Sequence, residues 1–203
     1  MKIGQIGQSR PPAQITSKIT GFFLYYLIVL EESKGFVIWI TGISGAGKST
    51  LMKMLCENLT NNGLNPICLD GDDLRKIFSK TENFYSYSER LELAYIYSKL
   101  CAYLSDQGFI VLIATIALFN EIHIHNRNTI KNYSEILIDT NISEVEANLE
   151  KSIYTDLNIE SQIAGLDFSV ELPPCPEYKI KRNIQDFKLI AEIISTKLQK
   201  GTK

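Results

Sequence analysis

The sequence predicts a three-layer α/β fold, a mostly parallel sheet with helices on both faces, on three observations. A short apolar run rich in β-branched and aromatic residues, Phe36 to Ile40, has the composition of a strand buried on both sides. A glycine-rich turn and a helix-compatible segment, Ser49 to Leu59, follow it directly. Beyond them, short apolar runs alternate with stretches of helical periodicity, the pattern left by strands joined through crossover helices.

Taken in order, the elements justify that class. Asn61-Asn62-Gly63 is a helix-stop signal, and Pro66 to Leu69 leads a second short strand ending at the acidic turn Asp70-Gly71-Asp72-Asp73. In an open α/β sheet, residues just beyond a strand's carboxyl end lie in the ligand crevice, so this turn is expected to face the glycine-rich loop. Glu89 to Ser105 carries Leu91, Ala94, Tyr95, Ser98, Cys101, Ala102 and Leu104 at helical spacing, closed by Gln107-Gly108. The continuous apolar run Phe109 to Ala114 is expected as the central strand, with Thr115 to Phe119 as its crevice-side exit. A helix over Glu121 to Ile130, a strand over Glu135 to Ile138 and a helix opened by the capping box Ser143-x-x-Glu146 follow. Tyr154 to Pro176 reads as irregular, Tyr178 to Ile180 as a fifth strand, and Asp186 to Gln199 as a closing amphipathic helix.

Composition narrows the function classes. The chain has 203 residues, about one domain, with 45% hydrophobic and 22% charged residues, ordinary for a globular protein. A net charge of −2 offers no general attraction to nucleic acid or to an anionic membrane, so an anionic substrate must be captured by local charge. Cys56, Cys68, Cys101 and Cys175 lack paired spacing and read as thiols of a reducing cytoplasm, not as a disulfide or zinc framework. Residues 1–34 are expected as an amino-terminal extension before a domain at 35–203. Its apolar run, Phe22 to Leu30, is too short to span a bilayer, lacks a signal-peptide cleavage site, and is expected to pack on the domain or extend upstream of it.

The chemistry is concentrated in Gly42-x-x-x-x-Gly47-Lys48-Ser49, the phosphate-binding loop of P-loop NTPase folds. Its glycines let successive N–H groups point inward as a nest for phosphate oxygens, and the helix that follows adds its positive dipole end. Lys48 is placed to reach the β- and γ-phosphates of ATP, and Ser49 to ligate Mg²⁺. His123 and His125 are two apart on an expected helix and point to different sides, so they read as surface or packing residues and not as metal ligands. The tyrosines at 85, 87, 95, 97 and 103 lack a basic surface and read as core and pocket lining.

The ordered set of segments resembles the adenylylsulfate kinases, which transfer the ATP γ-phosphate to the ribose 3′-hydroxyl of adenosine 5′-phosphosulfate. GFVIWITGISGAGKSTL from Gly35 to Leu51 looks like that family's strand and loop, and LDGDDLR from Leu69 to Arg75 its acidic segment, with Asp73 where Asn is usual. Phe84, Ser86, Glu89 and Arg90 resemble its substrate-binding stretch; Lys151 and Tyr154 resemble its Lys-Gly-Leu-Tyr segment. Gly165-Leu166-Asp167, with Glu171, Pro173, Pro176 and Glu177, looks like its lid and the approach to the last strand.

The resemblance implies roles. Gly42, Gly45, Ala46 and Gly47 shape the loop, backbone amides of Ser44 to Thr50 hold the β-phosphate, and Lys48 follows the moving phosphoryl group. Asp72 orients the acceptor hydroxyl and takes its proton, with Asp70 near the metal or its waters. Arg75 and Arg90 contact the acceptor's phosphate region, Phe84 packs on its base, Ile116 lines the acceptor side, and Lys151 closes over the phosphates. A homodimer, a small nucleotide substrate, and no nucleic-acid or membrane partner are implied as well.

Most departures from the family pattern fall on the acceptor side, and one, at Asn148-Leu149, falls where the family meets the ATP adenine. Glu92-Leu93-Ala94-Tyr95-Ile96 stands where the family has Glu-Asn-Ile-Arg-Arg, Ile116-Ala117-Leu118-Phe119 where it has Ile-Ser-Pro-Phe, and Asn148-Leu149 where it has Arg-Asp. Loss of cationic groups from a site for an anion is not neutral. With Ala114-Thr115-Ile116, Asn126-Arg127 and Asn132-Tyr133, the chain looks like a branch linked to bacterial surface polysaccharides, whose implied acceptor is cytidine diphosphoramidate for capsule decoration. The residues leave both acceptors open, and with them a nucleotide-binding regulatory protein whose transferase activity has decayed.

Overall fold

In the computed structural model the described residues are 35–78, 86–140, 143 and 170–201, all within one compact unit. The expectations for residues 1–34, Phe84, Lys151, Tyr154, Gly165 to Asp167 and the helix after Ser143 lie outside them. The elements in chain order are β1 (Phe36–Thr41), α1 (Lys48–Asn61), β2 (Ile67–Asp70), α2 (Gly71–Phe78), α3 (Tyr87–Asp106), β3 (Ile110–Ala114), α4 (Asn120–Thr129), β4 (Tyr133–Asp139), β5 (Tyr178–Lys181) and α5 (Ile184–Gly201).

The five strands form one parallel sheet in the order β2-β3-β1-β4-β5. The middle place therefore belongs to β1, with Phe36 beside Ile110 on one side and Val37 beside Tyr133 on the other; the run expected as central, β3, is its interior neighbour. The sheet reverses its direction of winding at β1, so the loop leaving its carboxyl end opens into the crevice where such sheets bind ligands.

Alternate strand residues feed two cores. Ile38, Ile40, Leu112, Ile136 and Ile138 meet Leu51, Leu55 and Leu59 of α1 and Phe187, Ile190 and Ile194 of α5. Val37, Trp39, Val111 and Ile113 meet Leu93, Ala94, Tyr97 and Cys101 of α3 and Ile122 of α4. Leu51, Leu55 and Leu59 recur every fourth residue along one stripe of α1 and are fully buried. Each such leucine stabilises the fold by about 1.5–3 kcal/mol. They hold in place the helix whose first turn carries Lys48 and Ser49. Gly63, with φ 79°, follows the C-cap of α1, and Gly108, with φ 88°, follows that of α3, at the two stop signals.

Ser86 opens α3 with a full capping box: its hydroxyl accepts from the Glu89 amide while Glu89 accepts from the Ser86 amide. That pair of residues therefore has a local duty independent of substrate. One helix exceeds the sequence reading. The acidic turn continues as α2, because Asp72 and Asp73 in its first turn and Arg75 and Lys76 in its last turn complement the helix dipole. Among the described residues no helix is long and apolar enough to cross a membrane.

Candidate active site

The loop after β1 is shaped by backbone geometry that only glycine accepts easily. Gly47 caps α1 at φ 97°, and a Cβ there would sit 3.0 Å from the ring of Phe187. Ala46 N–H turns back onto the Ile43 carbonyl at 3.2 Å, and the loop then enters α1 with Leu51 N–H on the Gly47 carbonyl at 3.0 Å. The first amides of α1 are thus presented outward at the positive end of the helix.

Two side chains of that first turn define the chemistry. Lys48 Nζ donates to the Ile43 carbonyl at 2.8 Å. Burial pushes its ammonium down to about 8, against the attraction of Asp72 and then Asp70, with Arg75 adding repulsion. Ser49 Oγ donates to Asp70 Oδ2 at 2.6 Å, tying α1 to the end of β2. A hydroxyl and a carboxylate oxygen side by side are hard donors of the kind Mg²⁺ takes, and here they fit it.

The acid turn is built for close approach. A Cβ on Gly71 would lie 2.9 Å from the Ala114 carbonyl and 3.2 Å from Thr115 Cβ, so the turn packs against the end of β3 at a distance only glycine permits. Asp70 Oδ1 accepts from the Asp72 amide at 3.0 Å, which spends the Asp70 carboxylate on Ser49 and on its own turn. Asp72, by contrast, is 72% exposed and forms a loose ion pair with Arg75 at 3.5 Å. Asp70 is therefore the tethered carboxylate and Asp72 the one that can turn toward a ligand.

The wall that follows β3 is apolar. Ala117, Leu118 and Phe119 are buried behind Ile116, whose carbonyl accepts from Thr41 Oγ1 at 3.5 Å. Where the family pattern places an amide and two arginines, Leu93 is buried in the core, Tyr95 stacks edge-on against His125 at 5.0 Å, and Ile96 packs on the same core. Arg90 lies partly buried in the first turn of α3 and Arg75 on α2. Tyr87 meets Phe119 edge-on at 5.0 Å. Glu171 closes this wall: its amide donates to the Leu118 carbonyl at 3.1 Å, and its carboxylate accepts from the Asn120 amide at 2.7 Å, capping α4.

Of the residues singled out in the sequence, the structure joins Lys48, Ser49, Asp70, Asp72 and Arg75 in one cluster and sets Ile116 at the crevice end of β3. Two features escaped sequence reasoning. Tyr97 Oη donates to the Gly71 carbonyl at 3.1 Å from the far helix α3. His123 is fully buried and paired with Glu135, so the residue read as surface or packing belongs to a closed ionic cluster behind β4.

A phosphate cradle with an acid turn bound to it across the crevice is the equipment of a P-loop phosphotransferase, which moves a phosphoryl group from a nucleoside triphosphate to a hydroxyl acceptor. The family model described as adenylylsulphate kinase matches residues 34–181, and the chain belongs to that family. It is 38% identical over 146 residues to the cytidine diphosphoramidate kinase of Campylobacter jejuni, covering 70% of this chain and 84% of that one. To the adenylyl-sulfate kinase of Pseudomonas aeruginosa it is 32% identical over 175 residues, covering 84% and 88%. In fold it is similar to the Mycobacterium tuberculosis APS kinase solved with AMPPNP and APS, at TM-score 0.67 and 24% identity, covering 82% of this chain and 98% of that one.

Proposed function

We propose that residues 35–203 form a kinase domain, preceded by an extension at 1–34, that uses Mg-ATP to phosphorylate the ribose 3′-hydroxyl of cytidine diphosphoramidate. The observation that carries the acceptor choice is the apolar packing of Leu93, Tyr95 and Ile96 where adenylylsulfate kinases, by the resemblance, carry an amide and two arginines. The two acceptor ends carry one negative charge each, but a sulfate offers three acceptor oxygens to arginine forks, whereas a phosphoramidate replaces one of them with an NH2 donor that an arginine cannot bond. The 38% identity to a cytidine diphosphoramidate kinase, against 32% and 31% to two adenylyl-sulfate kinases, supports the same choice.

In this reading the amides of Ser44 to Thr50 hold the β-phosphate and Lys48 compensates the charge on the transferring group. Ser49 ligates Mg²⁺, with Asp70 holding the hydroxyl and the metal's waters. Mg²⁺ supplies charge neutralisation across the phosphates. Asp72 orients the 3′-hydroxyl and receives its proton, while Arg75 and Arg90 face the acceptor's phosphates. Phe84 on the base and Lys151 over the phosphates keep the roles their resemblance gives them. The enzyme works as a cytoplasmic homodimer on the same ground.

The test is incubation with Mg-ATP and, separately, cytidine diphosphoramidate or adenosine 5′-phosphosulfate, with ADP release and product phosphorylation both measured. Higher kcat/KM with the cytidine compound supports the proposal. Preference for the adenylyl compound overturns the acceptor choice, and acceptor-independent ADP release with both overturns the kinase reading itself.

A further inference from the structure

The side chain that fixes the acid turn belongs to neither the phosphate loop nor the turn. Asp70 and Asp72 are separated only by Gly71, so the direction in which Asp72 projects depends on how the Gly71 peptide is held. Three contacts hold it. Gly71 is pressed against the Ala114 carbonyl and Thr115 at a distance that excludes a side chain. Asp70 Oδ1 takes the Asp72 amide. Tyr97, 3% exposed, donates its hydroxyl to the Gly71 carbonyl across 26 residues of sequence.

The same tyrosine also reaches the other end of α2, where its ring lies 6.4 Å from that of Phe78. One buried residue of α3 therefore braces the start and the finish of the short helix that carries Asp72 and Arg75. Burial pushes the Tyr97 phenol well above its usual range, against the opposing charge of Arg75, so it remains a hydrogen-bond donor at any working pH.

We propose that Tyr97 is a positioning residue for the phosphoryl transfer: its hydroxyl, bonded to the Gly71 carbonyl, sets the orientation of the Asp70-Gly71-Asp72 turn. The catalytic part of this proposal rests on the assignment of Asp72 as the base; the orientation of the turn does not. Tyr97 touches no reacting atom and acts through the backbone of the turn. Alignment of the base with the acceptor oxygen is a large part of what such an enzyme contributes, and Asp70 stays tied to Ser49, so a small rotation of the turn is felt more in turnover than in ATP binding.

The variant Tyr97→Phe keeps the ring, its burial and the Phe78 contact, and removes only the hydroxyl. Three readings are taken on wild type and variant: kcat and KM for ATP with the better acceptor, Tm, and amide hydrogen exchange in peptides spanning 69–78. The expected result is a fall in kcat of about three- to tenfold, the factor one neutral hydrogen bond is worth. KM for ATP stays within about twofold and Tm falls by only about 2–6 °C, the share of one buried hydrogen bond, while exchange rises in 69–78 alone. Unchanged exchange in that peptide overturns the proposal, as does a loss of kcat that merely tracks a lowered Tm. If wild type turns over no acceptor, the kinase reading fails, and the exchange comparison still decides whether Tyr97 holds the turn.

Discussion

Two polar clusters lie against the same sheet and use their charges in opposite ways. At the carboxyl ends of β1 and β2, Lys48, Ser49, Asp70, Asp72 and Arg75 meet through few and partly loose contacts, and Asp72 stays 72% exposed. Behind β4 a second cluster is closed. Glu135, fully buried, accepts from His123, from Tyr133 Oη at 3.1 Å and from Arg127 at 3.1 Å, and its amide donates to Glu177 at 2.7 Å. Arg127 also pairs with Glu177, donates to the Cys175 carbonyl and lies 5.6 Å from the Tyr133 ring. The two carboxylates differ in what is left over. Glu135 has its lone pairs committed inside the protein, so it fastens α4 and the approach to β5 onto β4. Asp72 retains acceptor capacity facing solvent, and that surplus suits a group that must take a proton from a ligand.

The largest break in this comparison is expected from Lys48→Ala. It removes the cation proposed to compensate the phosphates, so turnover is expected to be lost while the circular dichroism spectrum and Tm stay near wild type. Retained turnover would refute the loop assignment. Asp72→Asn comes next, lowering kcat by about two to four powers of ten with ATP affinity spared, the scale of general-base loss. If Asp70→Asn gave the larger fall, the roles within the turn would be reversed, although the Ser49 contact of Asp70 argues for a metal-side duty.

Glu135→Ala tests the closed cluster by a different readout. Removing the Glu135 carboxylate leaves the buried His123 ring and the Tyr133 hydroxyl without that acceptor and strips Arg127 of one of its two carboxylate partners, at a cost of about 3–5 kcal/mol. For a chain of this size that is a fall in Tm of roughly 6–20 °C. At 10 °C the folded fraction should keep its KM for ATP. A variant with unchanged Tm and lost activity would move Glu135 into the machinery and dissolve the contrast between the clusters.

That contrast also marks what the sequence could and could not tell. The open cluster was legible because glycine spacing, a strand before it and a helix after it constrain backbone geometry locally. β-Branched and apolar runs likewise placed all five described strands to within a few residues. The closed cluster was hidden because Glu135 opens a run, Glu135 to Ile138, that otherwise reads as buried strand, and no local rule names the partner of a buried charge. Its one signal was spacing: His123, Asn126 and Arg127 share a helix face at three- and four-residue intervals, and Tyr133 and Glu135 share a strand face. Helix α2 was hidden for a different reason. A glycine in its first position looks like a turn until the packing of Gly71 on Ala114 shows why glycine is needed there.

The smallest expected effect is also the one that separates binding from stability within the open cluster. With no nucleotide bound, Lys48 titrates near 8, because burial outweighs the attraction of Asp72 and Asp70. Phosphate oxygens favour the charged amine, so ATP binding takes up a proton once the pH exceeds that value. Affinity should be flat below pH 8 and weaken above it by up to about tenfold per unit, seen by calorimetry in two buffers of different ionisation enthalpy. The stability of the nucleotide-free protein should move the other way through the contribution of this group. The unfolded chain holds the lysine proton up to 10.5 and the folded chain releases it near 8, so folding gains as pH rises between those values and gains nothing below them. In Lys48→Met both trends should vanish together, while in Glu135→Ala both should persist on a lowered baseline. Persistence of the affinity trend in Lys48→Met would assign the titration to another group and sever the link between the loop lysine and the acid turn.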